Sequence, residues 1–401
     1  MYNIRDSKNT NLMKKILMII AIVAMLPATI FVSGYVSGGA AGDSPLEITS
    51  KSALLMEANS GRVLFSKDAD KQLPIASMVK ITTLAVIYDA LCAGEVSLDE
   101  MVMVSENASG MGGSQAFLDF NNEYKVDDLI KSIIIASAND SCVALAERIA
   151  GSETEFVNRM NTLAAKLGMT NTVYVNCTGL PAPGAHSTAA DVAKVYAYMM
   201  SKPYYGTHEL VWMYDLTHPS GRVTGLTNTN RHARFYQGIT GGKTGFTSEA
   251  GHCLAVSATR GDLKPIAVVI GSPCSKTRFA ETGDMMSHVF GAYKNEKIVC
   301  KTQVQATVKV RHAYNDKIDL FARTDYFDLV KKGDKAVSEI RIEPAEQIRA
   351  PFTTADALGK IVVTRSGKVI AEVDLVAGED VSKLNYWTSL RKIVSKYKVA
   401  A

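Results

Sequence analysis

The chain is organised around a short polar pair that opens a long apolar segment, Pro74-Ile75-Ala76-Ser77-Met78-Val79-Lys80 and onward to Leu91. If this segment is a helix, Ser77 and Lys80 share a face, so the lysine nitrogen can reach the serine oxygen. A serine hydroxyl becomes nucleophilic when a base takes its proton, and a desolvated lysine can be that base. The unpaired N–H groups of a first helical turn also suit a developing oxyanion. The spacing therefore predicts a nucleophile with its base.

The Ser-x-x-Lys spacing alone is a weak signal, because it recurs at Ser389–Lys392 and at Ser395–Lys398, where nothing else indicates catalysis. The first copy differs because two further polar motifs come after it along the chain. Ser137-Ala138-Asn139 is the nearer of the two, and Lys243-Thr244-Gly245 is the more distant. Ser-x-Asn also occurs elsewhere, whereas Lys-Thr-Gly occurs once. The ordered conjunction of the three motifs is the specific signal.

Length and composition bound the class of protein. A chain of 401 residues suggests two domains with extra segments at its ends. A net charge of +4 gives no support for nucleic-acid binding. The six cysteines form no Cys-x-x-Cys and the seven histidines no His-Glu-x-x-His, so we predict neither a metal site nor a cofactor. Cys92 and Cys142 lie in apolar helical patterns and are predicted to be buried.

The N-terminus resembles an export signal. Lys14 and Lys15 precede an apolar run over residues 16–36, which ends in the small residues 37–41. This arrangement predicts a signal peptide over residues 1–40. The run is also long enough for an uncleaved membrane anchor, so both alternatives stay open.

Periodicity predicts the elements that carry the motifs. A strand pair with a turn at 58–61 precedes the Ser77 helix. Residues 127–150 are helical, but 137–140 are residues that favour caps and turns, so a break there would aim Ser137 and Asn139 out of the core. Short β-branched segments from Ile239 onward have short connections and are therefore antiparallel neighbours. A closing helix is predicted over residues 279–293.

The last hundred residues change character. Residues 298–380 read as a small all-β domain. Residues 381–401 form an amphipathic helix, with Lys392 and Lys396 opposite an apolar side made of Leu384, Tyr386, Trp387, Leu390, Ile393, Val394 and Tyr397. Its basic and aromatic content favours a membrane interface. Packing of this helix on its own domain is the alternative.

The three motifs resemble those of the penicillin-recognising serine enzymes. The resemblance extends to the low-molecular-mass penicillin-binding proteins that are serine-type D-alanyl-D-alanine carboxypeptidases, through Asn176-Cys177-Thr178-Gly179-Leu180 and Gly242-Lys243-Thr244-Gly245-Phe246-Thr247. It implies an α+β fold: a β-lactamase/transpeptidase-like catalytic domain over residues 41–297, with an antiparallel sheet flanked by helices, then the β-rich domain. The family often has glycine where this chain has Ala138, a side chain without a chemical task.

The resemblance also implies roles. Ser77 would attack the penultimate D-alanine carbonyl, and Lys80 would be its base, kept neutral by burial and by the second cation Lys243. Ser137 would relay a proton to the departing nitrogen, and Asn139 would hold the substrate amide and the lysine.

Further substrate contacts are implied on the third motif. The N–H groups of Ser77 and Phe246 would form the oxyanion hole beside Gly245. Thr244 and Arg278 would hold the terminal carboxylate, which a guanidinium fork suits. The alternative for Arg278 is a surface arginine at a helix start.

The acidic and cysteine side chains near the motifs are predicted to have structural rather than catalytic roles. Asp140 and Asp191 are predicted to be helix caps rather than catalytic acids. Cys142 is predicted to be packing rather than a nucleophile.

The implied function is removal of the terminal D-alanine from peptidoglycan stem pentapeptides at the outer face of the cytoplasmic membrane, with β-lactams trapped on Ser77. A class A β-lactamase shares the motifs, but that class needs Glu with Asn four positions later. Here Glu153 is followed by Val157 and Glu155 by Arg159. A non-catalytic protein that binds wall peptide is the third hypothesis.

Overall fold

The computed structural model describes residues 46–398, without the side chains of residues 393–398. The predicted export signal lies outside this part of the chain. A 3₁₀ turn, Ala76–Val79, leads directly into the first helix. The helices have these bounds: α1, Lys80–Ala93; α2, Glu106–Ser109; α3, Val126–Ala136; α4, Asn139–Ala150; α5, Glu153–Lys166; α6, Ala189–Met200; α7, His232–Phe235; α8, Ser275–Ala292; and α9, Tyr386–Lys398.

The strands follow the same chain order. Their bounds are β1, Ser52–Glu57; β2, Val63–Lys67; β3, Met101–Met103; β4, Glu123–Lys125; β5, Met213–Thr217; β6, Val223–Thr227; β7, Ile239–Thr247; β8, Gly251–Ala258; β9, Pro265–Ser272; β10, Tyr293–Val299; β11, Val304–Arg311; β12, Lys317–Ala322; β13, Tyr326–Lys331; β14, Ser338–Pro344; β15, Ile348–Arg349; β16, Gly359–Arg365; and β17, Lys368–Ala377.

A five-stranded antiparallel sheet, in the order β2-β1-β9-β8-β7, forms the centre of the first domain. Both of its faces are covered. Because side chains alternate along a strand, Leu54 and Met56 of β1 face the helical core that contains α1, whereas Ala53 and Leu55 face α8. This explains why β1 is apolar throughout rather than alternating. It also leaves β7, which carries the third motif, at an edge of the sheet.

Helix α1 lies inside the helical core rather than on its surface. Among the described residues, Ala76–Ala93 is the one stretch long and apolar enough to cross a membrane, and most of it is buried within the fold. An apolar helix of this kind is stabilised by burial, at about 1.5–3 kcal/mol for each large side chain. Its start, which carries Ser77 and Lys80, is thereby fixed between the sheet and the other helices.

The predicted break between two helices within residues 137–140 is confirmed. Helix α3 ends at Ala136, Ser137 adopts a left-handed conformation with φ +63°, and α4 begins at Asn139. A left-handed residue ends a helix because its carbonyl no longer follows the helical path. Ser137 and Asn139 are nevertheless buried, at 4% and 3% exposed, so the break does not turn them toward solvent.

The second domain is all-β, as predicted. Its six-stranded sheet has the order β14-β16-β17-β12-β11-β15 and a core of its own, and β10 pairs with β13 beside it. Helix α9 contacts this domain through Lys392, whose Nζ donates to Ala313 O at 2.8 Å and pairs with Asp316. At Lys392, therefore, the helix packs on its own domain, which is the alternative that the sequence left open. Tyr386 and Trp387 are 75% and 70% exposed.

Candidate active site

The 3₁₀ turn Ala76–Val79, called the nucleophile turn below, holds Ser77 beside a buried amine. Lys80 is fully buried, and its Nζ lies 3.1 Å from Ser77 Oγ. The same nitrogen donates to Asn139 Oδ1 and to Thr178 O, each at 2.6 Å. The residue before the serine, Ala76, has φ +47°, a conformation that costs free energy in a residue with a Cβ. The first two motifs thus meet at one nitrogen.

Lys243 brings the third motif to the second. Its Nζ donates to Ser137 Oγ at 2.8 Å and to Thr244 O at 2.9 Å, and it is 3% exposed. Burial lowers the pKa of Lys80, and burial together with the nearby Lys80 charge lowers the pKa of Lys243 well below its usual range. The repulsion between two buried ammonium groups is mutual, so the pair resists carrying both charges at once.

Asn139 ties the site to a loop over residues 112–118. Its Nδ2 donates to Gly112 O at 2.7 Å, and its backbone N–H donates to Ser114 O at 2.7 Å. Asp140 holds the next part of this loop, because its buried carboxylate accepts from the backbone N–H groups of Ala116 and Leu118. Asp140 is therefore a loop anchor. It is not the N-cap residue of α4, which is Ala138, but it lies in the first turn and its Oδ1 accepts from Ser141 N at 2.9 Å.

The end of the same loop is held from the β5–β6 hairpin. Arg222 Nη2 donates to Phe117 O at 2.6 Å and pairs with Asp119 at 2.8 Å. Asp191 contacts a different part of the fold, accepting from Asn171 N at 3.0 Å. Thr188 is the N-cap of that helix and Asp191 lies in its first turn, so Asp191 is not itself the capping residue.

The nucleophile turn is clamped between two glycines. A Cβ at Gly245 would lie 2.7 Å from Ile75 O and 3.2 Å from Met78 N, so only glycine lets β7 approach the turn this closely. A Cβ at Gly179 would lie 2.1 Å from Ala76 O, and the φ of Gly179 is +81°. The 176–180 segment and the third motif thus both pack closely against the turn that carries Ser77.

The remaining predicted binding residues lie along β7 and behind it. Thr244 Oγ1 donates to Thr229 Oγ1 at 2.9 Å. Phe246 is 57% exposed, and its ring stacks on His252 with the ring centroids 4.4 Å apart. Arg278 Nη1 donates to Gly245 O at 3.0 Å and to Cys253 O at 3.2 Å.

Arg278 is a buried cation rather than a surface residue. It is 9% exposed, and its buried Nε has no hydrogen-bond partner among the described residues. Burial lowers the pKa of this guanidinium. The alternative of an ordinary surface arginine is therefore wrong, whereas a carboxylate-binding role stays a prediction.

Two cysteine predictions have different outcomes. Cys142 is buried as predicted, and burial raises the pKa of its thiol to about 12. Cys92 is exposed, so its predicted burial is wrong. It lies in the last turn of α1, where the helix leaves the core.

Sequence reasoning assigned no role to Thr178, to Gly112 or to His252. Thr178 and Gly112 act through backbone carbonyls, which no residue type signals. The signal for Thr178 was the resemblance of the whole 176–180 segment to the family.

Comparison with known proteins agrees with this geometry. The family profile described as D-alanyl-D-alanine carboxypeptidase matches residues 40–274, more than half of the chain. The chain belongs to this family. A second profile, the C-terminal domain of penicillin-binding protein 5, matches residues 293–383.

Individual relatives of this carboxypeptidase family member cover nearly the whole chain. The D-alanyl-D-alanine carboxypeptidase DacF of Bacillus subtilis is 36% identical over 96% of this chain and 99% of its own length. DacA of Haemophilus influenzae is 30% identical over 87% and 89%. Crystal structures of penicillin binding protein 5 from Haemophilus influenzae align with a TM-score of 0.73 at 30% identity, covering 85% of this chain and all of the other. The predicted family, fold class and enzyme class are confirmed.

Proposed function

We propose that this protein removes the terminal D-alanine from peptidoglycan stem peptides ending in D-Ala-D-Ala, through an acyl-enzyme on Ser77, and that β-lactams acylate the same oxygen. One observation carries the proposal: a fully buried amine, Lys80 Nζ, lies 3.1 Å from the Ser77 hydroxyl. Membership of the D-alanyl-D-alanine carboxypeptidase family supports the same reaction. Neither a cofactor nor a metal is needed for it.

The surroundings of Lys80 favour its neutral form as the base. A neutral amine has two N–H donors and one lone pair. Asn139 Oδ1 and Thr178 O can only accept hydrogen bonds, so the two N–H groups of Lys80 donate to them. The lone pair is then left for the hydroxyl of Ser77, whose proton moves to Lys80 as its Oγ bonds to the carbonyl carbon of the penultimate D-alanine.

The oxyanion formed in this step would be held by the backbone N–H groups of Ser77 and Phe246. Loss of one such donor typically costs about 3 kcal/mol, or about a hundredfold in rate. Ser137, hydrogen-bonded to Lys243 at 2.8 Å, would relay the proton taken up by Lys80 to the departing nitrogen as the C–N bond breaks, which leaves Lys80 neutral again. Water then attacks the ester and Lys80 takes the water proton. That proton passes to Ser77 Oγ as the ester bond breaks, which restores the free serine.

The terminal carboxylate would be recognised by Thr244 and by the positive charge of Arg278. The contact between Arg278 Nη1 and Gly245 O supports this assignment, because it puts the guanidinium against the β7 strand that carries Thr244. Asn139 and Gly245 would align the substrate amide along this exposed sheet edge.

The finer cellular setting is part of the proposal. We infer an export signal over residues 1–40, a catalytic domain over 41–297, a β-rich domain over 298–380 and a membrane-associating helix over 381–401. The exposed Tyr386, Trp387 and Leu390 support binding of that helix to the outer face of the cytoplasmic membrane. Replacing Tyr386 and Trp387 with Ser should reduce sedimentation with anionic vesicles. Unchanged sedimentation would contradict this part.

The catalytic proposal is tested with purified protein, a fluorescent penicillin and Nα,Nε-diacetyl-lysyl-D-alanyl-D-alanine. We expect one label per chain by intact mass and release of D-alanine, both lost in Ser77→Ala. Ser389→Ala is the matched control, since Ser389 also precedes a lysine by three positions. Absence of both label and D-alanine from the wild type would refute the proposal. Rapid hydrolysis of penicillin would favour the β-lactamase alternative.

A further inference from the structure

A buried histidine lies in the β5–β6 hairpin, outside the three motifs. His218 follows β5 and is 2% exposed. Its ring packs edge-on against that of Tyr124 in β4, with the ring centroids 5.6 Å apart. Its Nδ1 lies 2.7 Å from Tyr124 Oη and 3.1 Å from Arg222 Nη2, and its Nε2 lies 2.7 Å from Thr224 Oγ1. His218 is therefore a titratable group enclosed by polar partners, and the proposed mechanism gives it no task.

The partners of His218 decide which of its nitrogens carries the proton. The Arg222 guanidinium can only donate, so the nitrogen that faces it, Nδ1, must accept. Tyr124 Oη accepts from the backbone N–H of Asp119 at 3.0 Å, so the tyrosine hydrogen goes to Nδ1. Nε2 then carries the proton and donates it to Thr224 Oγ1. We assign the neutral Nε2–H tautomer because it alone satisfies all of these contacts.

The same partners hold the end of the 112–118 loop. Arg222 Nη2 donates to Phe117 O at 2.6 Å and pairs with Asp119 at 2.8 Å. Ser220 Oγ, in the same hairpin turn, donates to Asp119 Oδ2 at 3.1 Å. Phe117 has φ +61°, a left-handed conformation that costs free energy in a residue with a Cβ. The contacts from the hairpin offset this cost and keep the loop in its observed shape.

The 112–118 loop in turn supports the residue that orients the catalytic amine. Asn139 Oδ1 accepts from that amine at 2.6 Å, and Asn139 Nδ2 donates to Gly112 O at 2.7 Å. Tyr124 provides a second connection to the site, because β4 leads directly into α3, whose C-cap residue is Ser137. The surroundings of His218 are thus linked to the second motif from two directions.

Protonation of His218 would disrupt this arrangement at two points. A proton on Nδ1 removes the acceptor that Tyr124 uses, and it places a second positive charge against the Arg222 guanidinium. Asp119 Oδ2, 3.7 Å from Nδ1, favours the proton, and the Asp140 carboxylate of α4 acts in the same direction. Burial and the Arg222 charge outweigh both carboxylates and lower the pKa of His218 below its ordinary value of 6.5.

We infer that His218 is a positioning residue of this enzyme: in its neutral form it holds Tyr124 and Arg222 in the geometry that keeps the 112–118 loop against Asn139. This inference rests on the proposed function, because it concerns the rate of that reaction. When acid protonates His218, acylation should slow by about three- to tenfold beyond the loss due to protonation of Lys80. A displaced supporting loop costs less than the roughly hundredfold of a 1 Å misplacement at the reacting centre.

The test compares the acylation rates of the wild type, His218→Ala and His218→Asn with fluorescent penicillin between about pH 5 and pH 8. Asn supplies an acceptor oxygen near the position of Nδ1 and does not titrate, whereas Ala supplies none. Lys80 titrates in all three proteins, so the ratio of each variant's rate to the wild-type rate isolates the contribution of His218.

At pH 8, His218→Ala should be about three- to tenfold slower than the wild type, and His218→Asn should restore most of the rate. From pH 8 to pH 5, the ratio of His218→Asn to the wild type should rise by about three- to tenfold. His288→Gln is the matched control, since His288 is a histidine of α8 that packs against Tyr293, and this variant should give the wild-type profile.

A ratio of His218→Asn to the wild type that stays constant from pH 8 to pH 5 would overturn the inference and leave the proposed function standing. Absence of acylation from the wild type at every pH would overturn the proposed function, and the inference with it. A measurement on the wild type alone does not depend on how the variants fold. NMR of ¹³C-labelled histidine should show the Nε2–H tautomer of His218 and a pKa below 6.5. An Nδ1–H tautomer, or a higher pKa, would also overturn the inference.

Discussion

Replacing Gly245 with alanine tests whether the close approach of β7 to the nucleophile turn controls acylation. The added Cβ would lie 2.7 Å from Ile75 O, about 0.7 Å inside an ordinary contact of about 3.4 Å. Neither side can yield freely, because Ile75 precedes the strained Ala76 and β7 is paired along its length with β8. The strand and the turn must therefore separate.

The size of the effect follows from this displacement. A misplacement of about 1 Å at a reacting centre costs roughly a hundredfold in rate, so we expect Gly245→Ala to slow acylation by about 10- to 50-fold. Overpacking of this kind costs about 1–3 kcal/mol of stability. Both effects come from one added methyl group that separates β7 from the turn Ala76–Val79.

The assay measures the second-order rate of acylation by fluorescent penicillin together with the thermal midpoint. Gly291→Ala is the control, since no atom lies within 4 Å of the Cβ it would add in α8. That change should leave acylation unaltered and stabilise the protein by about 0.5–1 kcal/mol. Acylation of Gly245→Ala within twofold of the wild type, at an unchanged thermal midpoint, would refute the reasoning.

Three further predictions concern groups around the site. Lys80→Gln should slow acylation by at least about a hundredfold. In the wild type, burial lowers the pKa of Lys80, so the acylation rate should rise with pH and level off below the ordinary lysine pKa of about 10.4. Stopped-flow acylation rates that fall with rising pH would contradict the role of Lys80 as the base. The Cys142→Ala variant should be acylated at a rate within about threefold of the wild-type rate, because a thiol with a pKa of about 12 stays protonated. Iodoacetamide should label the exposed Cys92 and spare the buried Cys142, and peptide mass mapping would check this. Arg222→Gln should lower kcat/KM about three- to tenfold, because it releases the end of the 112–118 loop that Arg222 holds together with Asp119. The thermal midpoint should change little, since this ion pair is partly exposed. An unaltered kcat/KM would contradict a role for the loop in catalysis.

The sequence predicted those parts of the fold that depend on local chemistry. The break at Ser137 followed from turn-forming residues inside a helical pattern, and the antiparallel strands from Ile239 followed from short connections between β-branched runs. The order of three motifs was enough to predict that they converge, because a known family carries the same order.

Other contacts had no local signal. Thr178 O reaches Lys80 across 98 positions, and any residue could supply that carbonyl. Cys92 follows the apolar pattern of α1, but the pattern does not reveal where the helix leaves the core. Lys392 fits an amphipathic helix equally well in either setting, and its contact with Ala313 depends on the docking of two distant segments.

The distribution of the reactive groups over a buried helix start, a helix break and an edge strand has a practical consequence. None of these elements holds a complete catalytic set, so reactivity toward penicillin arises only when the helical layer is seated on the sheet. Covalent labelling of Ser77 is thus a sensitive probe of tertiary assembly. During refolding, label incorporation should lag behind the recovery of helical circular dichroism and report on the last step that closes the domain.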